Sequence, residues 1–234
     1  MPSVEVCPVP GAFKAYKHPE STVVVVDILR ATTAICAAFM NGAQAVIPVG
    51  SVASLRRYVG TGCLIAGERG GIRLPFADFD NAPEAFTPEL VAGRRIAYST
   101  TNGTQAIRLA SACHQVYIGS YFNFTALCNR LVREGRDVLL LCAGWRGRFS
   151  LEDTLFARAV VVRLQQEGFE VSCDAALTAS GLWTAASKDL LTCVRKSSHA
   201  ARLRQLGLAP TVDYCHIFDR TGVVPHYADG ELTV

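Results

Sequence analysis

Through the first two-thirds of the chain, short apolar runs alternate with stretches whose apolar residues recur every three or four positions. The runs predict strands over residues 23–28, 45–49, 63–66, 95–99, 115–118 and 137–142. The periodic stretches predict helices over 32–40, 52–59, 103–110, 124–133 and 152–166. Strands that alternate with helices pair in parallel, and the crossover helices then cover both faces of the sheet. The run Val-Leu-Leu-Leu at 138–141 is apolar at every position, as burial on both faces requires. The fold class is therefore α/β. Beyond about residue 170 the rhythm changes: two helices are predicted over 174–190 and 196–206, then short strands over 212–216 and 223–226. No Pro/Gly/Ser-rich linker and no repeat interrupts the chain. Residues 1–234 read as a single unit, with 170–234 as a candidate C-terminal subdomain.

Composition narrows the classes. The 234 residues are 50% hydrophobic and 18% charged, enough to bury a sizeable core, which excludes a disordered chain. The net charge of +3 is scattered along the sequence, so no nucleic-acid footprint is expected. Of the 23 cationic residues only Lys14, Lys17, Lys188 and Lys196 are not Arg. Arg forks oxyanions bidentately, so the bias favours an anionic ligand, although a GC-rich genome produces the same bias. No apolar run reaches the length of a membrane span, and Met-Pro-Ser-Val-Glu-Val does not resemble a signal peptide. The expectation is a cytoplasmic protein that does not engage a membrane. Nine cysteines lie singly without a C-x-x-C pair, against a zinc site or a disulfide framework. Nothing matches a P-loop or a dinucleotide fingerprint.

In open parallel sheets, ligands bind beyond the carboxyl ends of strands. Four loops fall at such ends. The first, Asp27-Ile-Leu-Arg30-Ala-Thr32-Thr33, places a carboxylate and a guanidinium at one crevice, with Thr32 or Thr33 expected to cap the helix that follows. The second, Ser99-Thr100-Thr101-Asn102-Gly103-Thr104, has more hydroxyl and amide groups than one helix cap requires, and Gly103 admits a close backbone approach. The third runs from Cys142 through Arg146 and Arg148 to Ser150, Glu152 and Asp153. Its Ser150-x-x-Asp153 is a capping-box pattern, which accounts for one acid without function. The fourth, Gly67-Glu68-Arg69-Gly70-Gly71, runs on to Asn81. The opposing reading of each loop is structural: a cap, an ion pair or a solvated tip.

Taken together, Asp27, Glu68, Glu152 and Asp153 face Arg30, Arg69, Arg146 and Arg148. Hard oxygen ligands without a His or Cys cluster favour Mg²⁺ over zinc, and several Arg beside helix N-termini favour phosphoryl chemistry on a small anionic substrate. The catalytic candidates are Asp27 and Arg30. The substrate-binding candidates are Thr32, Thr33, Arg69, Asn81, Thr100, Thr101, Asn102, Gly103 and Thr104. The metal candidates are Asp27, Glu68, Glu152 and Asp153.

The segments V-V-V-V-D-I-L-R-A-T-T, G-E-R-G-G, T-T-N-G-T and C-A-G followed by F-S-L-E-D-T occur in order across residues 23 to 154. In this the chain resembles the 2-phosphosulfolactate phosphatase (ComB) family, and the tail with Ser198-His199 and V-D-Y-C-H-I-F-D also fits. The resemblance implies a Mg²⁺-dependent hydrolase that releases phosphate from 2-phospho-3-sulfolactate, a step of coenzyme M biosynthesis. It also implies a three-layer α/β/α fold with a mixed, largely parallel sheet. Asp80-Asn81-Ala82-Pro83 departs from the Gly-Asn-Ser-Pro-like stretch expected there, and Phe156 stands where a Cys often follows F-S-L-E-D-T. Two rival mechanisms are weaker. The Asp-x-Asp of a haloacid-dehalogenase-type phosphatase is broken by Leu29, and the Cys-x5-Arg spacing occurs twice, at Cys142/Arg148 and Cys63/Arg69, close to chance for so many Cys and Arg. The alternatives are a phosphatase of another anionic phosphorylated hydroxy acid and a non-catalytic anion-binding protein of the same fold. A homo-oligomer is left open.

Overall fold

The computed structural model describes residues 1–16, 19–177, 183 and 186–234. Its strands are β1 (Ser3–Cys7), β2 (Thr22–Val26), β3 (Ala45–Pro48), β4 (Leu64–Arg69), β5 (Ile72–Arg73), β6 (Arg95–Ser99), β7 (Gln115–Gly119), β8 (Val138–Cys142), β9 (Glu170–Val171), β10 (His226–Ala228) and β11 (Glu231–Thr233). The helices that matter first are α1 (Phe13–Tyr16), α2 (Ala31–Met40), α3 (Val52–Arg56), α4 (Pro88–Val91), α5 (Gly103–Ala110), α6 (Phe124–Glu134) and α7 (Leu151–Gln166). Helices Leu190–Val194, Ser198–Gln205 and Ala209–Tyr214 follow.

The strands form an 11-stranded sheet in the order β5-β4-β6-β3-β11-β10-β7-β2-β8-β1-β9. β4, β6 and β3 pair in parallel, as do β7, β2, β8, β1 and β9. The C-terminal hairpin β10–β11 lies between the two parallel blocks, antiparallel to β7 through His226–Tyr117 and to β3 through Leu232–Val46. Its turn is Asp229-Gly230, with φ of 50° and 92°; positive φ at both positions is the backbone that twists a two-residue hairpin correctly.

Alternation along β2 shows the three layers. Val23 and Val25 pack into a core with α2 and α5, and Val24 and Val26 into a second core with α6 and α7, all four fully buried. The fold is α/β with helices on both faces of a mixed, mostly parallel sheet. The helix that follows β2 covers one face and the helix that follows the adjacent β8 covers the other. Diverging connections open a crevice at the carboxyl ends of β2 and β8.

Several elements differ from the sequence reading. β1 and β9 were not anticipated, and β4 extends to Arg69. Residues predicted as a strand over 212–216 instead begin in the helix Ala209–Tyr214: Pro210 in its first turn is preset for helix, and that outweighs the β-branched Thr211 and Val212. The strand predicted over 223–226 forms at His226–Ala228. The helix predicted over 174–190 begins at 174–177, and much of the remainder lies outside the described residues. The predicted 196–206 helix is Ser198–Gln205, capped by Ser197, whose side chain accepts from the Ala200 N–H.

Candidate active site

At the crevice, Asp27, Leu29, Arg30, Glu68, Gly70, Gly71, Asn81, Thr101, Asn102, Trp145, His199, Arg202 and Leu203 enclose a narrow cavity of about 20 Å³. The loops after β2, β4, β6 and β8 all contribute, so both parallel blocks of the sheet supply walls.

Asp27 follows a strand buried at every position and is itself 7% exposed. Its Oδ1 accepts a long hydrogen bond from Ala31 N, 3.4 Å, at the start of α2, and no described residue donates to Oδ2. Gly103 opens α5 directly against it. A Cβ at Gly103 would lie 2.6 Å from the Ala31 Cβ and 2.9 Å from Asp27 Oδ2, so only glycine lets the two helix starts and the carboxylate meet. Burial is the main reason the Asp27 carboxyl rises, to about 6; His199 and the Ala31 N–H pull it down, and Glu68 and Glu152 add to the rise.

Arg30 is 1% exposed. Its Nη1 donates to Asp80 Oδ2 at 3.1 Å, while its Nη2 is buried without a partner. A buried guanidinium with one amino group free, in the same cavity as Asp27, is a preset receptor for an oxyanion. Asp80, which replaces the expected glycine, is thus the residue that holds Arg30; its Oδ1 also accepts from Ala82 N at 2.8 Å.

The other acids have found partners. Glu68 Oε1 accepts from Thr101 N at 2.8 Å and Thr101 Oγ1 at 2.9 Å, and its Oε2 accepts from Gly71 N. Asp153 Oδ1 accepts from Ile28 N at 2.9 Å and its Oδ2 from Gly144 N at 3.1 Å, tying the loop after β2 to the loop after β8. Burial, with Asp27 and Glu152 nearby, pushes the Asp153 carboxyl well above its ordinary value, opposed by those two N–H bonds. The Ser150 hydroxyl accepts from Asp153 N at 3.4 Å, half of the capping box read from the sequence. Glu152 Oε1 lies 2.9 Å from His199 Nδ1, and Glu152 Oε2 is buried without a partner. Burial raises the Glu152 carboxyl, but His199, the Glu152 backbone N–H and Ser150 together bring it below the ordinary value. The four acids proposed as metal ligands do not form one cage. Among the described residues no three His, Cys, Asp or Glu side chains are grouped to hold a metal ion.

The hydroxyls and Arg residues are distributed unequally. Arg30, not Thr32 or Thr33, occupies the N-cap position of α2. Thr32 Oγ1 accepts from Asp27 N at 3.1 Å and Thr33 Oγ1 donates to Ile28 O at 3.0 Å, so both brace the 27–30 loop from inside the helix. Thr100 and Thr104 bond one another's backbone around the start of α5. Asn102 lines the cavity and accepts from Arg146 N at 3.3 Å. Asn81 also lines it, with Oδ1 unpaired. Arg69 turns its guanidinium to Glu68 O and to Ser99 O and Oγ, away from the cavity lining. Arg146 stacks on Trp145 with its guanidinium carbon 4.7 Å from the ring centroid, and Arg148 joins a short bridge with Trp145.

Cavity residues absent from the site candidates named on the sequence include Trp145, His199, Arg202 and Leu203, although Ser198-His199 carried part of the family resemblance. Arg202 donates from Nη2 to Gly70 O and lies 5.2 Å from the Trp145 ring centroid, which itself stacks on His199 at 6.4 Å. The available cue was a Ser-Ser-His at a helix start, 45 residues beyond the last acid considered, with nothing to fold it back toward Asp27. Cys142, the last residue of β8, is fully buried, and burial pushes its thiol well above the ordinary range, which removes the thiolate that a Cys-x5-Arg mechanism needs.

An open α/β sheet with a half-paired buried Arg and a perturbed carboxylate at its switch point defines an anion-handling site of the enzyme type. Comparison with known proteins makes this specific. The family model described as 2-phosphosulpholactate phosphatase matches residues 7–230. A probable 2-phosphosulfolactate phosphatase of Clostridium acetobutylicum is 33% identical over 224 residues, 94% of either chain. Proteins of the same description from Synechocystis and Thermotoga maritima are 37% identical over 218 residues and 35% over 209, covering 90% and 89% of this chain and 90% of each relative. The chain belongs to the 2-phosphosulfolactate phosphatase family.

Proposed function

We propose that this protein is a phosphoric monoester hydrolase that converts 2-phospho-3-sulfolactate and water to 3-sulfolactate and phosphate. The observation that carries the reading is the pairing of Asp27 with Arg30 in one cavity: a carboxylate whose Oδ2 receives no described hydrogen bond, beside a buried guanidinium with a free Nη2. Family membership and the relatives' names supply the substrate.

Mg²⁺ dehydrates reluctantly and is usually bound by one or two carboxylates together with substrate phosphate and water. The donors here suit that mode. Asp27 would hold the cation; Glu68 and Asp153 spend both oxygens on hydrogen bonds, and Glu152 is engaged by His199. The chemistry that such a cation would supply there is neutralisation of phosphoryl charge and a lowered pKa for water. Arg30 Nη2 receives a phosphoryl oxygen and stabilises the charge that develops as the P–O bond breaks. The substrate's second anionic end meets Arg202, Asn102 and the Thr101–Gly103 backbone at the start of α5. Glu68 keeps that backbone in place through Thr101.

The test is release of inorganic phosphate from 2-phosphosulfolactate by the purified protein, with Mg²⁺ and with EDTA. Mg²⁺-restorable release is expected. Release unchanged in EDTA overturns the metal assignment, and no release from this ester while another phosphorylated hydroxy acid is hydrolysed overturns the substrate.

A further inference from the structure

His199 and Glu152 form a pair that the reading above leaves without a part in the reaction. His199 stands in the first turn of helix Ser198–Gln205, in the partition between the Asp27 cavity and an adjoining hollow of about 390 Å³, and it lines both. Its Nδ1 is 2.9 Å from Glu152 Oε1. The Glu152 side chain is 1% exposed and that of His199 is 15% exposed. A carboxylate only accepts, so the Nδ1 hydrogen points to Glu152. That fixes the ring and leaves Nε2, which has no partner among the described residues, as the nitrogen available to the cavity. Trp145 stacks on the ring with 29° between planes and restricts its tilt. Asp27 lines the same cavity, near enough that a positive charge on the ring favours its ionised form. A phosphoryl group held at Asp27 and Arg30 therefore sits in the cavity that His199 also lines.

That oxygen leaves as the alkoxide of a 2-hydroxy acid, a strongly basic leaving group. We propose, on the basis of the phosphatase reading, that His199 is the acid that protonates the departing ester oxygen and that Glu152 is the positioning residue that orients it. In this step the oxygen of water forms a bond to phosphorus as the bond from phosphorus to the ester oxygen breaks. The electron pair of the broken bond stays on the ester oxygen and takes the Nε2 proton. The surplus proton of the attacking water leaves with the phosphate to solvent, from which His199 regains its own. The sum is one water consumed and one alcohol released.

The experiment compares kcat/KM for 2-phosphosulfolactate with that for acetyl phosphate, whose leaving carboxylate needs no proton. A general acid contributes about 10²–10⁴-fold, so the ester-to-acetyl-phosphate ratio is expected to fall about 10²-fold or more in His199→Asn. Glu152→Gln keeps an acceptor for Nδ1 but loses the charge, and the ratio is expected to fall in the same direction by roughly tenfold, as removal of an orienting partner does. Thermal melting establishes that each variant is folded. If the pair only braces the helix to α7, both substrates fall together and the ratio stays within about threefold of wild type, which overturns the proposal. Should neither variant fold, wild-type kcat/KM across alkyl and aryl phosphates decides: little dependence on leaving-group basicity is expected, and a steep decline overturns it. A wild-type protein that releases phosphate from neither substrate overturns the phosphatase reading itself, a different result from a ratio that does not move.

Discussion

The wall of the cavity built by β2, β8 and α7 and the wall built by helix Ser198–Gln205 are held by opposite means. On the first, main-chain groups are fastened: Asp153 bonds Ile28 N and Gly144 N, Thr32 bonds Asp27 N, and Thr33 bonds Ile28 O. On the second, side chains reach across a gap: Arg202 to Gly70 O, His199 to Glu152, and both against the Trp145 ring. A carboxylate seated on the first wall cannot shift without unpairing buried backbone, at about 1–3 kcal/mol for each group left unsatisfied. Side chains on an eight-residue helix can move with that helix. In the proposed reaction Asp27 and Arg30 hold the phosphoryl group from the fixed wall, while His199 and Arg202 act on the leaving group and the second anion from the adjustable one.

Removing the charge at the fixed wall gives the largest effect. Asp27→Asn is expected to lower kcat by about 10²-fold or more, as loss of a catalytic group does. The same substitution changes stability in a definite direction. The folded carboxyl is raised from 3.8 to about 6, so in that window the folded state holds a proton that the unfolded state has lost. The metal-free wild type therefore gains stability from this group as pH falls from about 7 toward 4, by roughly 3 kcal/mol at about 1.36 kcal/mol per unit. Urea titrations in EDTA across this range check it: Asp27→Asn should lack that share of the slope, and identical slopes would remove the raised carboxyl from the account.

Asp153 tests the fastening itself. Asp153→Ala strands two buried N–H groups and should cost about 2–4 kcal/mol of unfolding free energy, visible as a lowered denaturation midpoint. Asp153→Asn keeps only an acceptor for one of them and should fall between. Equal stability in all three proteins would mean that the two loops are held by packing alone.

The smallest effect separates two arginines. Arg202 lines the cavity whereas Arg69 is spent on Glu68 O and Ser99. Arg202→Ala should reduce the preference for a phosphomonoester with a second anion over glycerol 2-phosphate by about tenfold, one charge-assisted hydrogen bond of about 1.5–3 kcal/mol less some replacement by water. Arg69→Ala should lower the melting temperature and leave the preference near the wild-type value. The reverse result would return the second anion to Arg69.

What could be read from the sequence follows the same division. The strand-end residues Asp27, Arg30, Glu68, Thr101 and Asn102 were recognisable because parallel α/β sheets collect ligands at that edge, and all five line the cavity. The metal reading of Glu152 and Asp153 could not be resolved from residue types. Adjacent in one helical turn, they turn to different partners, one to a histidine and one to two backbone amides. His199 and Arg202 were hidden because their positions depend on how the chain returns after residue 170, where the alternation of strand and helix no longer dictates the path; Trp145 sat inside a loop already considered, but an apolar ring carries no chemistry that singles it out. Asp80 was noted as a departure, but its partner Arg30 lies 50 residues away and only the fold joins them. The Asp229-Gly230 turn went unread, because the strands on either side of it are only three residues long and do not register as alternating runs.

The hairpin of β10 and β11 also dictates an order of events during synthesis. Among the described residues, the block β5–β4–β6–β3 and the block β7–β2–β8–β1–β9 share a backbone ladder only through residues 226–233. A ribosome delivers these residues after every other strand of the sheet has emerged. Until then each half can pair only within itself, with exposed edges at β3 and β7 that invite foreign strands. The cavity takes Asp27 and Trp145 from one half and Glu68 and Thr101 from the other, so the closing strands join in backbone the two halves that α2 and α5 already bridge by packing. Residues 226–233 thus carry the step from a pair of half-sheets to one continuous sheet beneath the site.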